Sequence, residues 1–98
     1  MTLEKNLNGK TLEIKLCGYL DTGTAPDLES VLNESFAGIE TLVLNLEELE
    51  YVSSAGLRVI LNAQKEMLGR GQMKLTHVNE TIMEVFDITG FVDILTIE

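Results

Sequence analysis

Apolar and polar positions alternate with period two over KTLEIKL (10–16), with Leu12, Ile14 and Leu16 on one face and Glu13 and Lys15 on the other. That is the pattern of a strand with one buried and one wet side. LEKNL (3–7) precedes it, and the intervening Asn8-Gly9 suits a two-residue type I′ turn, in which both central residues take positive φ. The period then changes. In GYLDTGTAPDLESVLNESF, Leu28, Val31, Leu32 and Phe36 fall at helical spacing, Thr24 and Asp27 stand as in a capping box, and Pro26 fits a first turn. Alternation returns in TLVLNL, with Leu42, Leu44 and Leu46 set against Val43 and Asn45. Beyond the acidic turn LEELE, the stretch YVSSAGLRVIL opens a second helix bearing Leu57, Ile60, Leu61, Ala63 and Met67 or Leu68, which Gly69 and Gly71 stop. QMKLTHV predicts a strand. Thr81 and Glu84 open a short helix with Ile82, Val85 and Phe86 inward and Gly90 after it, and FVDILTI predicts a last short strand.

Helices that link strands imply crossovers into a largely parallel sheet, and the N-terminal hairpin adds an antiparallel pair. The wet face of the second strand places the helices mainly on one side. The expected fold is therefore α/β, a mixed sheet with an N-terminal hairpin. The 98 residues suit a single domain over 1–98, without internal repeat, linker or low-complexity segment.

Composition narrows the function classes. An apolar fraction of 45% is ordinary for a folded globular chain. No run approaches the roughly 18 apolar residues of a membrane span, and the N-terminus lacks the apolar core of a secretory signal. The lone Cys17 forms no internal disulfide and no metal cluster, so a reducing cytoplasm is expected. A net charge of −9 repels phosphate backbones, which argues against direct nucleic-acid binding; it serves solubility and suits partners with basic patches.

The candidate chemistry lies in SSAG. Either Ser53 or Ser54 can cap the helix by accepting a first-turn N–H, leaving the other hydroxyl to receive a modification. Free N–H groups and the positive dipole end would stabilise an attached phosphate there. Glycine costs about 1 kcal/mol in a helix relative to alanine, so Gly56 points to a close approach. A hydrolytic triad of Ser54, His77 and Asp21 or Asp93 can be drawn on paper, but there is no Gly-x-Ser-x-Gly elbow. His77 alternates with Leu75 and Met73 and reads as a partly buried strand residue. A phosphate loop fails because Thr24 stands where lysine is needed. The residues give no catalytic constellation, and no enzymatic activity, cofactor or metal is expected.

GYLDTGTAPDLE, TLVLNLEELEYVSSAGLRVIL and NETIMEVFDITGFVDIL, in this order and spacing, resemble the STAS domain, and more closely the bacterial anti-sigma factor antagonists. The resemblance spans essentially the whole chain. It implies a compact mixed sheet and a switching role: the unmodified domain binds an anti-sigma factor that is also a serine kinase, and phosphorylation ends the binding. A serine phosphatase would reset it. Matching on Gly56-Leu57 puts Ser54 on the acceptor position, Ser53 where the family commonly has aspartate, Ala55 on the second hydroxyl position and Arg58 where glycine is frequent. The partner-binding set it implies is Asp21, Thr22, Ser53, Ser54, Ala55, Gly56 and Arg58. The alternative is a constitutive binding module using the same surface without phosphorylation.

Overall fold

The computed structural model describes residues 1–98. Strands β1 (Thr2–Asn8) and β2 (Thr11–Leu20) form the antiparallel hairpin, and helix α1 (Ala25–Ser35) leads into β3 (Thr41–Asn45), which lies parallel to β2. Next come β4 (Leu49–Val52), helix α2 (Ser54–Leu68), β5 (Gln72–Thr76) and helix α3 (Glu80–Thr89). The sheet runs β1-β2-β3-β5, and β4 pairs in parallel with the far end of β2 beyond the reach of β3. The mixed sheet with an N-terminal hairpin is thus as expected.

One face of the sheet makes the core. Leu12, Ile14 and Leu16 of β2, Leu42 and Leu44 of β3, and Met73 and Leu75 of β5 are all buried in a single cluster. Leu28 and Leu32 of α1, Ile60, Ala63 and Met67 of α2, and Ile82 and Phe86 of α3 close over them. On the other face Glu13, Lys15, Cys17, Val43, Asn45, Lys74 and Thr76 stay partly exposed. The helices therefore cover one side, as the wet face of β2 requires.

Several local expectations change. Asn8 pairs with Thr11, so the turn is centred on Gly9-Lys10; only Gly9 has positive φ, the pattern of a type II′ turn. Strand β4 begins within what reads as an acidic turn, at Leu49 and Glu50, and runs on through Tyr51 and Val52, which read as the approach to a helix. Its register jumps between Gly18↔Leu49 and Tyr19↔Tyr51, so Glu50 and Tyr51 both face out and the period of two is lost. The final strand is reduced to one bridge, Leu75↔Ile97, because Phe91–Asp93 wind into a 3-10 turn after Gly90. His77 lies beyond β5, exposed and at φ 55°, which removes it from any partly buried strand position.

Two helix starts also differ. Thr24 makes no capping bond to α1, because its side chain is engaged elsewhere. Helix α3 is capped by Asn79 rather than opened by Thr81: Asn79 Oδ1 accepts from Ile82 N at 3.0 Å, while its Nδ2 donates to Leu49 O at 2.8 Å. One side chain thus caps a helix and satisfies a carbonyl of β4. Asn79→Ala is expected to cost about 1–2 kcal/mol through the lost cap and the orphaned carbonyl, a Tm drop of roughly 5–10 °C in a thermal melt.

Candidate functional site

The C-terminal ends of β2 and β4 meet the start of α2. Ser53 N donates to Leu20 O at 2.8 Å, which ties the chain leaving β4 to the last residue of β2. Ser53 is extended (φ −90°, ψ 174°) and its Oγ accepts from Gly56 N at 3.2 Å, so it is the N-cap of α2. Ser54 follows as the first helical residue and is exposed. Its hydroxyl is outside the cap. The two adjacent serines therefore occupy different environments, one fixed by the backbone and one open to solvent.

Gly56 explains how the helix comes so close. It is buried, and a Cβ there would sit 2.7 Å from Leu20 Cγ and 3.0 Å from Leu20 O. The first turn of α2 is thereby pressed onto the end of β2, beside the point where Asp21 emerges. Ala55 is half-buried against the core, and Arg58 is exposed one turn beyond Ser54 on the same helical face.

Asp21 is half-buried and organises its own loop. Its Oδ1 accepts from Gly23 N at 3.0 Å and Thr24 N at 3.1 Å. Thr24 Oγ1 accepts from Asp21 N at 2.8 Å and donates to Tyr19 O at 2.7 Å. This reciprocal turn holds Thr22 at the exposed tip. The structure thus brings Asp21, Ser53, Ser54 and Gly56 to one edge, with Thr22 and Arg58 exposed around it. His77 and Asp93 belong to other loops, following β5 and within the 3-10 turn.

Three nearby features were not legible in the sequence. Thr24 anchors the Asp21 loop, a role hidden by its resemblance to a capping box. Tyr19 and Tyr51 pair across β2 and β4 with ring centroids 6.1 Å apart, a contact invisible without β4. On the open sheet face Cys17 Sγ donates to Glu48 Oε2 at 3.0 Å, and Lys15 Nζ lies 3.5 Å from the same oxygen. The hydrogen bond from Cys17, then the Lys15 ammonium, lowers the Glu48 carboxyl below its ordinary range. That same bond, reinforced by partial burial and the carboxylate charge, pushes the Cys17 thiol up. A raised thiol holds less thiolate at pH 8, so Cys17 is expected to alkylate slowly. Glu48→Gln removes the opposing charge and is expected to raise the iodoacetamide rate about three- to ten-fold at that pH.

No group of three or more His, Cys, Asp or Glu side chains is placed to hold a metal ion. No helix is long and apolar enough to cross a membrane.

At one edge of the mixed sheet a capping serine and an open serine share a helix mouth, and comparison with known proteins specifies the class. Residues 2–98 match the STAS domain family model. The Bordetella bronchiseptica protein BtrV, described as an anti-sigma factor antagonist, is 36% identical over 84 residues, covering 84% of this chain and 72% of that protein. The anti-sigma-B factor antagonist of Staphylococcus aureus is 30% identical over 97 residues, covering 97% of this chain and 90% of the relative. The phosphorylated form of the Bacillus cell fate determinant SpoIIAA superposes with a TM-score of 0.78 at 20% identity, over 99% of this chain and 91% of that one. The chain belongs to the STAS-domain family of anti-sigma factor antagonists.

Proposed function

We propose that this protein binds an anti-sigma factor when Ser54 is unmodified, and that phosphorylation of Ser54 by that partner, acting as a serine kinase, ends the binding. The observation that carries this reading is the division of the two hydroxyls. Ser53 is committed to the cap of α2, whereas Ser54 stands exposed at the first helical position. Relatives called anti-sigma factor antagonists support the partner class, and SpoIIAA gives an example of this fold in a phosphorylated form.

The chemistry is a phosphoryl transfer in which the partner holds ATP. Ser54 Oγ attacks the γ-phosphorus, the bond to the β-phosphate oxygen breaks, ADP departs, and the hydroxyl proton passes to a base on the partner. The product carries about 1.5 to 2 negative charges at the helix mouth, where the dipole end and the nearby Arg58 stabilise it without requiring refolding. In the complex, the phosphate would face the phosphates of the partner's nucleotide. Repulsion and desolvation there separate the two proteins. A phosphatase restores the hydroxyl and the binding.

Intact mass measurement of the native protein from its source cells, with site mapping across growth conditions, tests the switch. One phosphoryl group on Ser54 whose occupancy changes with condition is the expected result. A permanently unmodified Ser54 in a protein that still holds its partner would leave the constitutive binding module instead.

A further inference from the structure

The face next to Ser54 carries an exposed aromatic pair that the core does not use. Tyr19 and Tyr51 are 54% and 48% exposed, although both sit in paired strands. Tyr19 faces out by the alternation of β2, and the bulge at Glu50 turns Tyr51 outward beside it, the rings tilted by 37° at 6.1 Å. Each leads directly into the site, Tyr19 two residues before Asp21 and Tyr51 three before Ser54. Mutual packing and strand pairing already restrict both rings, so a partner would lose little side-chain entropy by covering them.

The surroundings select the partner's chemistry. Between Asn45 and Leu57 the chain has three carboxylates, Glu47, Glu48 and Glu50, and no base. Glu80 joins them along one shallow recess beside β4. The nearby Lys15 is drawn to Glu48. Exposed tyrosine faces beside Glu47, Glu50 and Glu80, whose carboxylates hold no ion pair, favour a guanidinium or ammonium group, which can sit over a ring while pairing with an acid.

We propose that the Tyr19–Tyr51 pair and its acidic flank anchor an arginine- or lysine-bearing segment of the protein partner, beside the contact made at Ser54. This inference rests on the partner-binding reading above. It divides the interface into two zones. The sheet face attracts a basic segment, while the helix mouth contacts the phosphoryl-transfer site, so the negative charge added at Ser54 acts where the partner's nucleotide lies and not against the basic segment.

Photo-crosslinking in the source cells tests it, with p-benzoylphenylalanine replacing Tyr19, Tyr51 or the exposed Thr22 in separate full-length variants. The expected result is that all three positions capture the same protein. The adducts from positions 19 and 51 lie beside its arginine or lysine residues, and their yield falls about five-fold or more when Glu47→Lys and Glu50→Lys are combined. Capture from position 22 with none from 19 or 51 would overturn the anchor while leaving the partner reading intact. Attachment within an acidic or uncharged segment, or a yield indifferent to charge reversal, would overturn the basic chemistry. No capture from any position would overturn both readings.

Discussion

Ser54→Asp is expected to weaken binding to the anti-sigma factor of the same organism by roughly 10- to 100-fold, about 1.4 to 2.7 kcal/mol. The substitution places a permanent carboxylate at the exposed first position of α2, where a negative charge favours the helix dipole. The fold should tolerate it, and Tm should move by no more than about 4 °C, the shift that roughly 0.5 kcal/mol produces at most in a domain of this size. Ser54→Ala should keep the affinity of the unmodified protein and escape regulation. The neighbouring serine behaves differently, since Ser53→Ala removes the Oγ that accepts from Gly56 N and lowers stability first. Calorimetric titration beside thermal melts separates the cases. Equal affinity for Ser54→Asp and the parent chain would argue against control by charge at this position.

Gly71→Ala is expected to be among the most damaging substitutions, costing about 3 kcal/mol or more and lowering Tm by roughly 12 °C or more. A Cβ at Gly71 would come within 1.9 Å of Glu40 O. That carbonyl already accepts from Gln72 N at 3.0 Å, and Glu40 N donates to Lys10 O at 2.8 Å. Moving Glu40 aside would disturb the entry to β3, the entry to β5 and the hairpin end together. Gly69 is the control. It has φ −86°, and a Cβ there meets nothing closer than Glu66 O at 3.7 Å, so Gly69→Ala should be neutral or stabilising by up to about 1 kcal/mol. Denaturant melts of the two variants would show the contrast, and similar midpoints would refute the steric account.

The pattern of apolar positions was enough to find β2, three helices and the parallel core strands, because each buries one regular face. Strand β1 is exposed along nearly all its length and was legible only through the turn that joins it to β2. Leu12, Ile14 and Leu16 recur at two, and Ile60, Ala63 and Met67 at helical intervals, with all six buried. What escaped was structure set by contacts distant in sequence. Strand β4 lost its period at the Glu50 bulge, and the cap of α3 moved to Asn79 because that side chain also serves Leu49. Thr24 left its capping role for Tyr19 O and the Asp21 turn.

The site was legible to a similar degree. The serine pair and Gly56 stand together in sequence, and helix-start chemistry distinguishes a capping hydroxyl from a spare one. Sequence left open which serine caps; the backbone at Ser53 decides it. The close approach inferred for Gly56 proves to be Leu20, a neighbour within the chain. The tyrosine pair had no local signal, since its two rings meet only through β2–β4 pairing.

Central to the proposed switch is a change in affinity caused by one phosphoryl group without a change in fold. The most direct measurement is a titration of the anti-sigma factor with two forms of this protein, unmodified and carrying phosphoserine incorporated at position 54, each checked by amide NMR spectra. The expected result is binding weaker by about 100-fold for the phosphorylated form, about 2.7 kcal/mol, with spectral shifts confined to the mouth of α2 and its neighbours. Equal affinity, or weakened binding accompanied by spectral change throughout the sheet, would contradict it.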